Sequence, residues 1–267
     1  MRTRLIIPII ISILCIIMPG GLVAQQAART TEHALSIGAG LTNVFDAYLS
    51  PLEYTGAEFR IQRETLRQTT KMDGKLYVQT LLNLHASYSE NPAKNANMYE
   101  GLLSWDLNYL YKMELSPRLT FLAGGALDLN AGAIYNERNS NNPAQAKVSG
   151  HIAATGLFLY QFRLFKKEGL LRYQASVPLM GALFSPEYGE SYYEIFGLNH
   201  KGHHICLATP FNALSLRQTL SVDFPIKKTT VRVSYIGDFQ QANVNNLKSH
   251  VWSNAFMIGY VKSFQLP

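Results

Sequence analysis

Leu103-Ser104-Trp105-Asp106-Leu107-Asn108-Tyr109-Leu110-Tyr111-Lys112 is the stretch that decides the fold of this 267-residue chain. In an extended strand successive side chains point to opposite faces. Leu103, Trp105, Leu107, Tyr109 and Tyr111 then share one face, and Ser104, Asp106, Asn108 and Lys112 share the other. One face suits hydrocarbon and the other suits water.

The same alternation recurs along the chain. Ile152, Ala154, Phe158, Tyr160, Phe162 and Leu164 oppose Thr155, Gln161 and Arg163. Leu171, Tyr173, Ala175 and Val177 oppose Arg172, Gln174 and Ser176, while Leu214, Leu216, Leu220, Val222 and Phe224 oppose Arg217, Thr219, Ser221 and Asp223. In all, about ten strands are predicted, over residues 32–42, 55–68, 75–88, 98–114, 118–134, 148–165, 169–178, 212–224, 229–239 and 250–264. Two more inside residues 179–211 would make twelve. Past residue 24 no stretch approaches 18 uninterrupted apolar residues, so no spanning helix is expected. A chain that crosses lipid with strands must close them, because an open edge leaves backbone groups unsatisfied there. The fold class predicted is all-β, a closed antiparallel transmembrane β-barrel with polar residues inward. Arg63 breaks the pattern by falling beside Phe59 and Ile61, a position that requires a nearby membrane interface.

Connections support the same reading. Residues 70–74, 116–117, 166–169 and 225–228 are short and rich in turn formers. Residues 43–54, 89–97, 135–147, 179–211 and 240–249 are longer, so long and short alternate strictly, as periplasmic turns and external loops would.

Residues 1–24 read as an N-terminal signal peptide and residues 25–267 as a single barrel domain. Arg2 and Arg4 precede an apolar run from Leu5 to Met18, and Leu22-Val23-Ala24 offers a cleavage point. The run would span only about 21 Å as a helix, short of a hydrocarbon core of roughly 30 Å. Export to the outer membrane of a Gram-negative envelope is the expected localisation. Cleavage would remove Cys15 and leave Cys206 alone, without an internal disulfide. The formal charge is +6, and Arg2 and Arg4 belong to the leader. The remaining excess is small and scattered, which excludes nucleic acid as a partner.

Three segments carry a family resemblance. They are Asn141-Asn142-Pro143-Ala144, the run Phe184-Ser185-Pro186-Glu187-Tyr188-Gly189-Glu190-Ser191-Tyr192-Tyr193-Glu194-Ile195-Phe196, and Val244-Asn245-Asn246-Leu247-Lys248-Ser249-His250. Together they resemble an uncharacterised family of outer-membrane β-barrels from Bacteroidetes, known only as a domain of unknown function. The resemblance implies fold and location and carries over no catalytic or binding residues. The final strand also closes near Phe264, similar to the terminal aromatic by which such barrels are recognised for insertion.

Side chains can largely fill a barrel this narrow. Arg60, Glu64, Asp106, Lys112, Arg163, Arg172, Arg217, Asp223, Arg232 and Asp238 are predicted to face inward as a mixed-sign network that plugs the lumen. A selective pore would favour one sign or leave a wide channel. The connection over residues 179–211 is long enough to fold over the barrel mouth. Its Glu187, Tyr188, Glu190, Tyr192, Tyr193 and Glu194 make an aromatic, acidic surface fitted to a partner, either another envelope protein or a surface glycan.

Asn199-His200-Lys201-Gly202-His203-His204 lacks cysteine or matched carboxylate spacing, so neither a metal nor any other cofactor is expected. A rim hydrolase would draw on Asp46, Glu187, Glu190, His200, His203 and His204, but no nucleophile elbow, phosphate loop or dinucleotide fingerprint accompanies them. The chain is therefore read as a non-enzymatic outer-membrane barrel, embedded in outer-membrane lipid, whose external loops bind a partner or stabilise the envelope. A small transporter or pore is the alternative, and a rim hydrolase the second.

Overall fold

The computed structural model describes residues 29–164, 166–198, 202–227 and 229–266. The leader and its cleavage point lie outside the described residues. Eleven strands form one antiparallel sheet: β1 (Arg29–Asp46), β2 (Tyr54–Gln68), β3 (Leu76–Glu90), β4 (Asn97–Ser116), β5 (Leu119–Asn136), β6 (Ala144–Leu164), β7 (Lys167–Phe184), β8 (Ile205–Ala208), β9 (Leu216–Ile226), β10 (Thr229–Val244) and β11 (Leu247–Leu266). Consecutive strands pair from β1 to β7, β7 pairs β9, and β11 returns to β1, so ten strands close a barrel. The eleventh, β8, adds onto residues Gly181 to Phe184 of β7 outside that ring.

All ten predicted strands form, most of them longer than expected, because pairing continues past the residues that alternate. Loop lengths depart from strict alternation at two places. On the expected external side, Asn245 and Asn246 alone connect β10 to β11, each with positive φ (50° and 59°), as a tight hairpin requires. On the other side, residues 69–75 make a connection as long as those after β1 and β5. Side is thus not legible from length, except at the long connection between β7 and β9. The end of the barrel where β1 begins and β11 finishes is termed the terminal end here, and the opposite end the loop end.

The barrel is inverted relative to a soluble protein. Leu84, Leu103, Ile152, Phe256 and Ile258 project from the outer wall and are about half exposed or more. Arg60, Asn83, Asn108, Arg172 and Asp238 are buried inside. An apolar belt around a polar interior is the arrangement that crosses a bilayer with strands. Arg63 does project from the outer wall, between Leu35 and Leu82, five residues from the terminal end of β2. Its long aliphatic stem allows the charge to reach headgroups from there.

Two buried apolar clusters lie inside the barrel, one toward each end. Val44, Tyr54, Met98, Ile134 and Val251 pack together at the loop end, with Leu49 and Ala96 from the connections. Leu66, Leu110, Leu122 and Leu157 do so at the terminal end, backed by Tyr77 and Leu159. Leu110 is the apolar intruder in the polar row of β4, and this layer is its reason. Along β4 the inward residues run Met98, Glu100, Leu102, Ser104, Asp106, Asn108, Leu110, so the charged section lies between the layers.

β9 is five residues shorter than β10 at the loop end. β7 and β9 pair only from Leu170 to Ser176, and just beyond lie Pro178, which has no N–H to donate, and an irregularity in the β6 register. Above that point residues 209–215 cover the wall. Ser215 Oγ accepts from Gln241 N at 3.3 Å and the Asn212 carbonyl accepts from Asn243 N at 2.7 Å.

Candidate functional site

Two regions concentrate chemistry: the charged lumen and the long connection at the loop end. In the lumen, Asp238 on β10 joins two guanidiniums, Arg60 NH1 at 3.1 Å and Arg217 Nε at 3.2 Å. Arg217 continues to Asp106 at 3.0 Å, and Arg60 to Ser253 Oγ at 2.8 Å and Glu58 at 3.4 Å. Nearer the terminal end, Arg232 grips both oxygens of Asp223, at 2.6 and 2.7 Å, and also pairs with Glu64. Arg172 pairs with Glu64 as well, and Gln79 donates to that carboxylate at 2.6 Å. Gly38, the register neighbour of Arg60 on β1, sits tight against β11, where a Cβ would lie 2.2 Å from the Phe256 carbonyl oxygen.

Eight of the ten charges expected inward are in this network. Lys112 instead pairs with Glu114 at 2.7 Å near the terminal rim. Arg163 has the inward parity but lies exposed at the end of β6, beyond the apolar layer, so it cannot reach the network. Glu32, Glu58, His85 and Asp128 belong to it and were not singled out from the sequence. Glu58 shares the parity of Arg60 and could have been found by it. His85, opposite Arg60 on β3, binds Glu58 at 2.9 Å, and only strand register reveals that.

The long connection is a braced structure. Residues Tyr193–Gly197 form one turn of π-helix. Ser191 and Glu194 cap it reciprocally: Glu194 Oε2 accepts from Ser191 N at 2.7 Å, and Ser191 Oγ accepts from Glu194 N at 3.2 Å. Ser191-Tyr192-Tyr193-Glu194 is a capping-box spacing, a signal present in the sequence. Gly189, at φ +82°, makes the preceding turn, in which Glu190 Oε2 accepts from Glu187 N at 3.1 Å. The same oxygen lies 2.8 Å from His204 Nε2, tying the two arms of the connection together. Tyr192 points inward: its hydroxyl accepts from Ala146 N at 2.7 Å and donates to Gln145 at 2.9 Å. Its ring packs edge-on against Tyr48 at 5.9 Å. Burial, helped by Tyr192 and Glu190, pushes the Tyr48 phenol up to about 12.

Of the six residues expected to face a partner, Glu190, Tyr192 and Glu194 are spent on this bracing. Tyr188 and Tyr193 are exposed and Glu187 is half-exposed, and Phe196, not expected from the sequence, is as exposed as Tyr193. The rim residues do partly converge. Glu187 lies 4.0 Å from His203 Nδ1 beside the Glu190–His204 pair, whereas Asp46 is 2.8 Å from Lys147. His200 lies outside the described residues. The Cys206 thiol donates to the His203 carbonyl at 3.4 Å, and burial pushes it up, away from the thiolate a nucleophile needs. Among the described residues no group of three or more histidine, cysteine or acidic side chains has metal-holding geometry.

Residues 7–266 match the model of a family described as Protein of unknown function (DUF3316). The chain belongs to the DUF3316 family. No curated protein matches the sequence. Among solved structures, an outer-membrane channel from Pseudomonas putida F1 is similar at 9% identity and a TM-score of 0.36, covering 93% of this chain and 100% of its own. The outer membrane protease OmpT from Escherichia coli has 6% identity and a TM-score of 0.43, covering 92% and 99%. Both scores are too low to carry weight, and the channel and protease functions named there belong to those proteins.

In this DUF3316 member the distinctive surface is the braced connection, since the lumen charges are turned on one another. Asn245 completes the bracing from the β10–β11 hairpin, with its amide reaching the carbonyls of Ser185, Pro186 and His203 at 2.9 to 3.3 Å. The asparagine pair and the tyrosine-rich run that carry the family resemblance are thus in contact.

Proposed function

We propose that this chain is a non-enzymatic outer-membrane barrel, sealed through its lumen, that holds an aromatic platform on the external face for an envelope protein partner. The Bacteroidetes origin implied by the resemblance belongs to the same reading. One observation carries it: Tyr188, Tyr193 and Phe196 are exposed on a segment held by a capping box, the Glu190–His204 pair, Tyr192 and Asn245. Aromatic side chains dominate interface energetics, and a rigid presentation reduces the ordering cost of binding. Two apolar layers around a self-neutralising network favour a plug over a pore.

The test is co-purification from native outer membranes in mild detergent. The intact chain should bring down a defined protein, and a variant with Tyr188→Ala, Tyr193→Ala and Phe196→Ala should fold and lose it. An intact chain that recovers nothing, or a triple variant that recovers as much, refutes the platform.

A further inference from the structure

We infer that a groove on the outer wall at the loop end is a docking site for one membrane glycolipid whose headgroup is a phosphorylated sugar. The groove measures about 530 Å3, within the size range of small-molecule sites. The site takes the loop end to be the external one, as the proposed function also does.

Strand register builds the floor. Lys248 stands directly opposite Asn243, and His250 directly opposite Gln241, so four outward side chains of β10 and β11 form two adjacent cross-strand pairs. Cβ atoms so paired are about 5 Å apart, and successive outward residues of one strand are roughly 7 Å apart. One phosphate group therefore reaches the Lys248 ammonium and the Asn243 amide together. Lys248 is exposed, and among the described residues its ammonium has no ion pair. The His250 imidazole is fixed by Asn43 and stacks on Trp252 at 4.1 Å, as aromatic side chains do at headgroup level.

The walls are apolar. Phe45 stands 5.6 Å from His250 on one side, and Phe211 and Leu214 line the other. Phe211 is 100% exposed, yet its turn is braced. Asn212 Oδ1 accepts from Thr209 N at 2.8 Å, Asn212 Nδ2 donates to the Leu207 carbonyl at 2.8 Å, and the Asn212 carbonyl accepts from Asn243 N at 2.7 Å. A phenyl ring held out in this way gains free energy when an apolar surface covers it, and the braced turn keeps the ordering cost low. Glu53, held by Asn43 Nδ2 at 3.3 Å, closes the far edge with an acceptor for sugar hydroxyls.

Position selects the occupant. Further along the same two strands Leu41, Phe256 and Ile258 face outward in the apolar belt, so the groove is continuous with the lipid-facing wall. A headgroup phosphate on Lys248 and Asn243 leaves the acyl chains to run down that belt. Glu53 repels a headgroup that carries only negative charge and accepts from one that also carries hydroxyls.

The probe is monophosphoryl lipid A, offered to the intact barrel in a sugar-free detergent and read by native mass spectrometry. One retained copy is expected, with phosphatidylglycerol and the dephosphorylated lipid each held roughly tenfold more weakly. Lys248→Gln and Phe211→Ala should each weaken retention by about tenfold, for loss of a charge-assisted hydrogen bond and of apolar contact. Both side chains are exposed, and heat-dependent gel mobility confirms that each variant is a folded barrel. Tyr188→Ala should leave retention unchanged, which separates this groove from the aromatic platform. Glucosamine 1-phosphate tests the source: competition at concentrations comparable to the lipid assigns a soluble sugar phosphate and overturns the lipid site. No saturable lipid A binding, equal retention of phosphatidylglycerol, or unchanged retention in Lys248→Gln or Phe211→Ala would each overturn it. So would a protein seated there instead, seen as co-purification lost in both of those variants.

Discussion

The Asn245 amide nitrogen lies 3.1 Å from the Ser185 carbonyl oxygen, so the two-residue hairpin between β10 and β11 holds the start of the long connection. The same amide lies 2.9 Å from the His203 carbonyl on the returning arm. A single side chain therefore clamps both arms. Replacing it by glycine keeps the left-handed backbone that position 245 adopts and removes only the clamp. Asn245→Gly is expected to leave the barrel folded and to speed proteolytic cutting within residues 185–204 at least several-fold, as read by timed protease digestion.

Arg232 pairs with Asp223 and Glu64 in a buried part of the lumen. Removing one member of a buried network leaves an uncompensated charge, at about 3–5 kcal/mol. Arg232→Met should lower barrel stability by that order in urea unfolding from detergent. Combining it with Asp223→Leu should recover part of the loss, because Arg172 still serves Glu64.

The proposed plug gives an electrical expectation. In a planar bilayer the purified barrel should show no stable open level. A steady conductance would contradict the two-layer plug, and its loss in Leu110→Trp or Met98→Trp would locate the path.

Tyr48 gives a pH expectation. Its phenol is raised from 10.0 to about 12, chiefly by burial, and its hydroxyl has no partner among the described residues. Between those values the unfolded chain loses this proton and the folded chain keeps it. Stability from this group is thus complete below pH 10 and is lost as pH rises through about 12. Phenolate absorbance should show a late-titrating component that shrinks by one tyrosine in Tyr48→Phe. That variant should be no less stable at neutral pH, since it removes an unpaired buried hydroxyl.

Much of this architecture was legible because β alternation is local. Ser104 and Asp106 had to face away from Leu103 and Trp105 whatever surrounded them, and ten such segments could only close. Arg163 shows the limit: its parity was right, but only the height of Leu157 and Leu159 in the barrel places it outside the plug. In the loop, Glu190 and Glu194 looked like partner residues because composition carries no direction. A neighbouring histidine holds Glu190 buried, and a capping serine engages Glu194 at the surface.

The sequence by itself determined the two faces of each strand and the polarity of the lumen, since both follow from a period of two residues, and it left ten or twelve strands open. Only the tertiary structure decided which charges meet and that β8 lies outside the ring. Arg217 meets Asp106 across 111 positions of sequence and Arg232 meets Glu64 across 168. Pairings of that range are set by closure of the barrel, which brings distant strands around one narrow axis, and no local pattern encodes them.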